Sequence, residues 1–164
     1  MRAFRPARRG LLIAALAALA WSASGLAGPA RASEAEAGDE AFHRRASVCA
    51  AVLKRDVLAL KDRFLRGETA VRGEIQRLTE QSFTFVGTAY KRGLRNPRAD
   101  QLLDEAERVQ QRQSPALLRG LSVECQAEGA KLLSGANPIE RALVRNRARA
   151  RVDQLLAPPP ARAG

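Results

Sequence analysis

The segment FHRRASVCAAVLKRDVLALKDRF, residues 42–64, decides the fold. Phe42, Ala46, Cys49, Leu53, Val57, Leu60 and Phe64 follow one another at spacings of three or four, the period of one helix face. Strand alternation is absent. The spacing predicts a helix over about Asp39–Arg66, with Gly67 placed to end it.

The same period continues downstream. A second helix is expected over about Thr69–Arg92, with Val71, Ile75, Leu78, Phe85 and Ala89 on one side. Phe83, Gly87, Tyr90 and Leu94 form an adjacent stripe, which widens the apolar arc beyond that of a surface helix. Phe83-Thr84-Phe85 would also fit a short strand, but the helical period on both sides outweighs it. Asn96-Pro97, Ser114-Pro115 and Asn137-Pro138 each set a capping side chain before a proline suited to the first helical turn. Glu140 stands three residues beyond Asn137, the spacing of a capping box. The third helix then spans about Pro97–Gln113, with Ala99, Leu102, Leu103, Ala106 and Val109 inward. A fourth spans about Pro115–Ser134, with Leu118, Leu121, Cys125, Gly129 and Leu132 inward and Gly135 at its end. The fifth, about Pro138–Leu156, is two-sided: Ile139 and Leu143 lie nearly opposite Val144, Ala148, Val152 and Leu155. Short connections make this an all-α, antiparallel bundle of four to five helices over residues 41–156.

The ends read differently. The first ten residues carry Arg2, Arg5, Arg8 and Arg9 without an acid, and an apolar run from Leu11 to Ala20 follows. Small residues then lead to Ala30-Arg31-Ala32. This order is that of a cleavable secretory signal over residues 1–32, cut between Ala32 and Ser33, or nearer Ala23 or Ala27. The apolar run is about half of the roughly 20 residues that span a bilayer, which disfavours an uncleaved anchor. No cysteine precedes Cys49, so a lipid-anchored signal is not expected, and Arg8-Arg9 is only a minimal twin-arginine pattern. Residues 33–40, SEAEAGDE, are expected to form an acidic, mobile leader. Residues 157–164 are expected to form a proline-rich, disordered tail, and after cleavage of the signal no transmembrane span is expected.

Removing the signal changes the composition. The whole chain carries a formal charge of +11, and the signal's five arginines and no acids leave +6 for the rest. Trp21 and Met1, the single tryptophan and methionine, leave with it. Two cysteines in an exported chain are expected to pair. Cys49 and Cys125 both sit on inward stripes, with Ala46, Ala50 and Gly129 small enough to let two helices approach. They lack the close spacing of a reactive redox pair.

Several chemistries are disfavoured by counting. His43 is the single histidine, expected to be solvated or capping, so zinc and haem ligation lack ligands. No nucleophile-elbow or phosphate-loop pattern occurs. Glu124 and Glu128 flank Cys125 at helical spacing, but Glu128 can pair with Lys131, and a solvated face is the plainer reading. The expectation is therefore no catalytic residues, no cofactor and no metal.

Two basic sets remain. Lys91, Arg92, Arg95 and Arg98 follow the second helix, where cations complement its dipole. Arg141, Arg145 and Arg149 repeat at one-turn spacing, where like charges repel, so they are either a solvated face or an anion-binding row. Phe83, Gly87 and Tyr90 either line an apolar pocket or let another helix pack closely. The sequence points to an extracytoplasmic, non-catalytic interaction or chaperone-like module. The alternative is a soluble carrier of an apolar or anionic ligand. The periplasm is the expected compartment, with secretion or an uncleaved anchor as alternatives. Expected partners are an envelope protein, anionic lipid or lipopolysaccharide, and nucleic acid is disfavoured by the missing aromatic platform.

Overall fold

A computed structural model describes residues 29–157. Five α-helices account for most of them: α1 Pro29–Leu65, α2 Arg72–Lys91, α3 Arg98–Gln110, α4 Pro115–Gly135 and α5 Pro138–Leu156. A short 3-10 turn, Thr69–Val71, leads into α2. No strand occurs among the described residues, so the Phe83–Phe85 segment is helical. The apolar run Leu11–Ala20 and the tail from Pro158 lie outside the described residues.

α1 and α2 form the central pair. They are joined through Gly67, whose φ of 101° allows the turn without a side-chain clash. Its N–H donates to Phe64 and that of Glu68 to Arg63, a Schellman ending. Arg63 then donates to the Glu68 carboxylate at 2.7 Å, so an ion pair clamps the ending. Gly93, with φ 95°, ends α2 in the same way, and buried Leu94 donates to Ala89. α3 packs Leu102 and Ala106 on α1, α5 packs Ala148, Val152 and Leu156 on α2, and α4 lies against both central helices. Ile75, Leu78, Phe85 and Leu53 are the largest side chains at the centre.

Cys49 and Cys125 form the disulfide that ties α1 to α4, with a Cα–Cα separation of 5.2 Å and no solvent exposure. Close approach continues along α4 at Gly129, where an added Cβ would stand 2.9 Å from Gln81 Cβ and 3.1 Å from Phe85 Cε2. Ser122 donates to Asp56 at 2.5 Å, a further tie between α1 and α4.

Several expectations need correction. α1 begins at Pro29, so residues 33–40 are helical and not a separate leader. Alanine and glutamate favour helix, and proline suits its first turn. Glu34–Gly38 are exposed, but Asp39 and Glu40 reach Arg92 and Arg98 at 3.8 and 2.5 Å. The anticipated cleavage residues Ala30, Ala32 and Ser33 fall in the first turns of this helix. Of the three caps, Ser114 accepts from Leu117 N–H and Asn137 from Glu140 N–H. Asn96 instead accepts from the Tyr90 hydroxyl, and α3 starts at Arg98 without a side-chain cap. α3 is shorter than expected and leaves Val109 50% exposed, while Gln110 is buried and donates to the Val48 carbonyl. His43 is buried, not solvated: it is 8% exposed and its Nε2 has no hydrogen-bond partner.

Two outcomes follow from this packing. Replacing both cysteines by alanine should lower unfolding free energy by about 4 kcal/mol on the chain-entropy account, read by urea denaturation; an unchanged midpoint would contradict the bridge. Gly129→Ala should cost about 1–3 kcal/mol in the same assay, because neither Gln81 Cβ nor the Phe85 ring can retreat freely.

Candidate functional site

α2 and α5 run antiparallel, held at both ends by ion pairs. Arg72 donates to Asp153 at 2.6 Å at one end, and Lys91 donates to Glu140 at 2.7 Å at the other. Between the C-terminal half of α2 and the N-terminal half of α5 lies a groove of about 510 Å³. Phe83, Val86, Gly87 and Tyr90 line it from α2, and Leu143 and Val144 from α5. The volume lies within the usual range of small-ligand sites.

The anticipated stripe Phe83, Gly87, Tyr90 is thus brought together in one groove. Its glycine is not a helix-packing contact: Gly87 is exposed, with nothing within 4 Å of an added Cβ. Close packing falls to Gly129, as described above. Phe83 and Tyr90 are half-buried, and Tyr90 is held by its hydroxyl on Asn96. Lys91, Glu140 and Arg147 supply the polar rim. Contact with Lys91 holds the Glu140 carboxyl below its ordinary value, aided by the Asn137 cap.

The two basic sets separate. Lys91 is bound to Glu140, and Arg92 lies 4.1 Å over the Phe42 ring and near Asp39. Arg98 pairs with Glu40, whose carboxyl it holds below the usual range. Arg95 donates to the Tyr90 and Leu94 carbonyls at the end of α2. The acidic stretch of α1 is therefore the counterpart of this run. Arg141, Arg145 and Arg149 differ in setting: Arg141 is half-buried and donates to the Ser134 carbonyl, whereas Arg145 and Arg149 are exposed. Arg141 and Arg145 line a separate crease with Arg77 and Gln81.

The carboxylates beside the disulfide are also occupied. Arg45 of α1 donates to Glu128 at 2.9 Å and to Glu124 at 3.5 Å, so Lys131 is not the partner of Glu128. Among the described residues no three His, Cys, Asp or Glu side chains gather as a metal site. A second groove of about 510 Å³ between α3 and α4, lined in part by Val48, Val109, Leu117 and Leu121, escaped sequence reasoning. It depends on the shortened end of α3, which no local pattern marks.

Fold and site define a small, disulfide-stapled, all-α bundle with an open apolar groove between two helices. Comparison with protein-family models, with curated proteins and with solved structures gives no match.

Glu140 supplies a check on the groove's rim. Its lowered pKa means that the Lys91 contact contributes fully above the ordinary value of 4.5 and is lost as pH falls through the folded value. Carboxyl NMR should therefore place the Glu140 midpoint below 4.5, and Lys91→Met should move it upward. A midpoint that ignores the substitution would remove Lys91 as the cause.

Proposed function

We propose that this chain is an exported, non-catalytic interaction module of chaperone-like type, using the α2–α5 groove to hold an apolar segment of a partner. The observation that carries this reading is the exposed, uncontacted Gly87 between half-buried Phe83 and Tyr90, opposite Leu143. Glycine inside a helix costs about 0.5–1 kcal/mol relative to alanine, and no helix contact offsets it here. A ligand-sized space above the backbone gives the glycine a use.

Openness favours a segment-binding module over a carrier. Val86, Gly87 and Leu143 all reach solvent, so a bound chain would remain partly accessible instead of enclosed. Export rests on the arginine-then-apolar N-terminus, and a buried disulfide suits an oxidising compartment. No helix among the described residues is long and apolar enough to cross a membrane.

Gly87→Trp tests the reading. A Cβ at this position meets nothing within 4 Å and the indole would lie over the apolar lining, so the thermal midpoint should hold or rise. Wild type should slow light-scattering aggregation of an unfolded client at near-stoichiometric ratio, and the variant should lose at least about half of that effect. Equal protection by both proteins would contradict the groove. Lipid that co-purifies with wild type but not with the variant, seen by native mass spectrometry, would favour the carrier instead.

A further inference from the structure

We propose that the solvent face of α5 is a docking surface for an anionic phospholipid bilayer. α5 contains two acids, Glu140 and Asp153, and both are bound to α2 by Lys91 and Arg72. Arg145, Arg147, Arg149 and Arg151 are all exposed, and no carboxylate of the described residues lies within salt-bridge distance of them. Like charges one turn apart repel, and here nothing within the fold offsets that repulsion.

The four arginines form two rows, Arg145 with Arg149 and Arg147 with Arg151. Between them runs a strip formed by Ile139, Leu143, Asn146 and Ala150, at spacings of four, three and four. Ile139 is 82% exposed and Leu143 49%, while the opposite side buries Ala148, Val152 and Leu156 against the bundle. The helix is therefore apolar on two opposite sides and basic along both seams. This arrangement explains the two-sided pattern of its sequence.

Exposed Ile139 and Leu143 at the helix start, leading into flanking cationic rows, suit a helix that lies in the headgroup layer. The apolar side chains enter shallowly, and long arginine stems carry guanidinium groups to the phosphates. The arginines do not converge on one point but spread along about 9 Å of helix. A single soluble anion fits that spread poorly, whereas a bilayer presents phosphate at every register. The face is distinct from the groove, sharing only Leu143 and Arg147 with it.

Vesicle co-sedimentation tests this, using protein purified from expressing cells in the form those cells leave it. Wild type should bind vesicles of phosphatidylcholine with phosphatidylglycerol and bind pure phosphatidylcholine at least about tenfold more weakly. Arg145→Gln with Arg149→Gln should weaken binding by roughly tenfold to thirtyfold, as should Arg147→Gln with Arg151→Gln. Raising salt from about 50 to about 200 mM should release the protein. Ile139→Asp should also weaken binding while leaving the thermal midpoint unchanged, and vesicles should slow amide exchange over residues 139–150. Gly87→Trp should bind vesicles as wild type does, which separates this face from the groove. Equal binding to both vesicle types, no binding at all, or arginine variants that bind unchanged would overturn the proposal. Release by millimolar inorganic phosphate at constant ionic strength would overturn it in favour of a free-anion site.

Discussion

The close approach of α4 to the α1–α2 pair governs the rest of the structure. The Cys49–Cys125 bridge brings α4 onto α1, and Gly129 lets it settle on Gln81 and Phe85 of α2. Arg45 and Asp56 of α1 then bind Glu128 and Ser122 of α4 on either side of the bridge. With that side of the central pair covered, α5 is left to pack chiefly on α2. It is pinned by ion pairs at its ends and stands free over its remaining circumference. Groove and basic face are both consequences of that partial burial.

Charge is organised by the same division. The acids near the start of α1 meet the cations that follow α2, and the two acids of α5 meet cations of α2. These pairs are exposed and each contributes little to stability. Their value is positional, because they align helix ends, and α5's arginines are among the cations left without a carboxylate partner. α5 itself carries five arginines against two acids.

Much of this was legible in the residues. The three-and-four spacing from Phe42 to Phe64 is long enough to exclude strand, and Ser114-Pro115 and Asn137-Pro138 mark helix starts by local chemistry alone. Pairing of Cys49 with Cys125 followed from two inward stripes bearing small neighbours. Phe83, Gly87 and Tyr90 could be grouped by period, but local sequence cannot distinguish a glycine that admits a helix from one that leaves space. That choice depends on where α4 and α5 sit. The acidic stretch misled because exposure and helicity are compatible: Ala-Glu repeats favour a helix even where nothing covers it. His43 misled similarly, since its burial comes from tertiary packing and not from its charged neighbours. Val109 fell outward because Gln110 takes the inward place at the end of α3 and donates to the Val48 carbonyl, a pairing no local pattern announces.

Segment binding as proposed requires the space between α2 and α5 to be apolar and open before any partner arrives. Methyl NMR of the unliganded protein, titrated with the fluorescent apolar probe anilinonaphthalene sulfonate, is the sharpest check, because the α3–α4 groove of equal volume among the described residues competes for the probe. Saturable shifts are expected at Val86, Leu143 and Val144, with Val109 and Leu117 unmoved. Shifts confined to Val109 and Leu117, or spread without saturation over the whole bundle, would contradict segment binding in this groove.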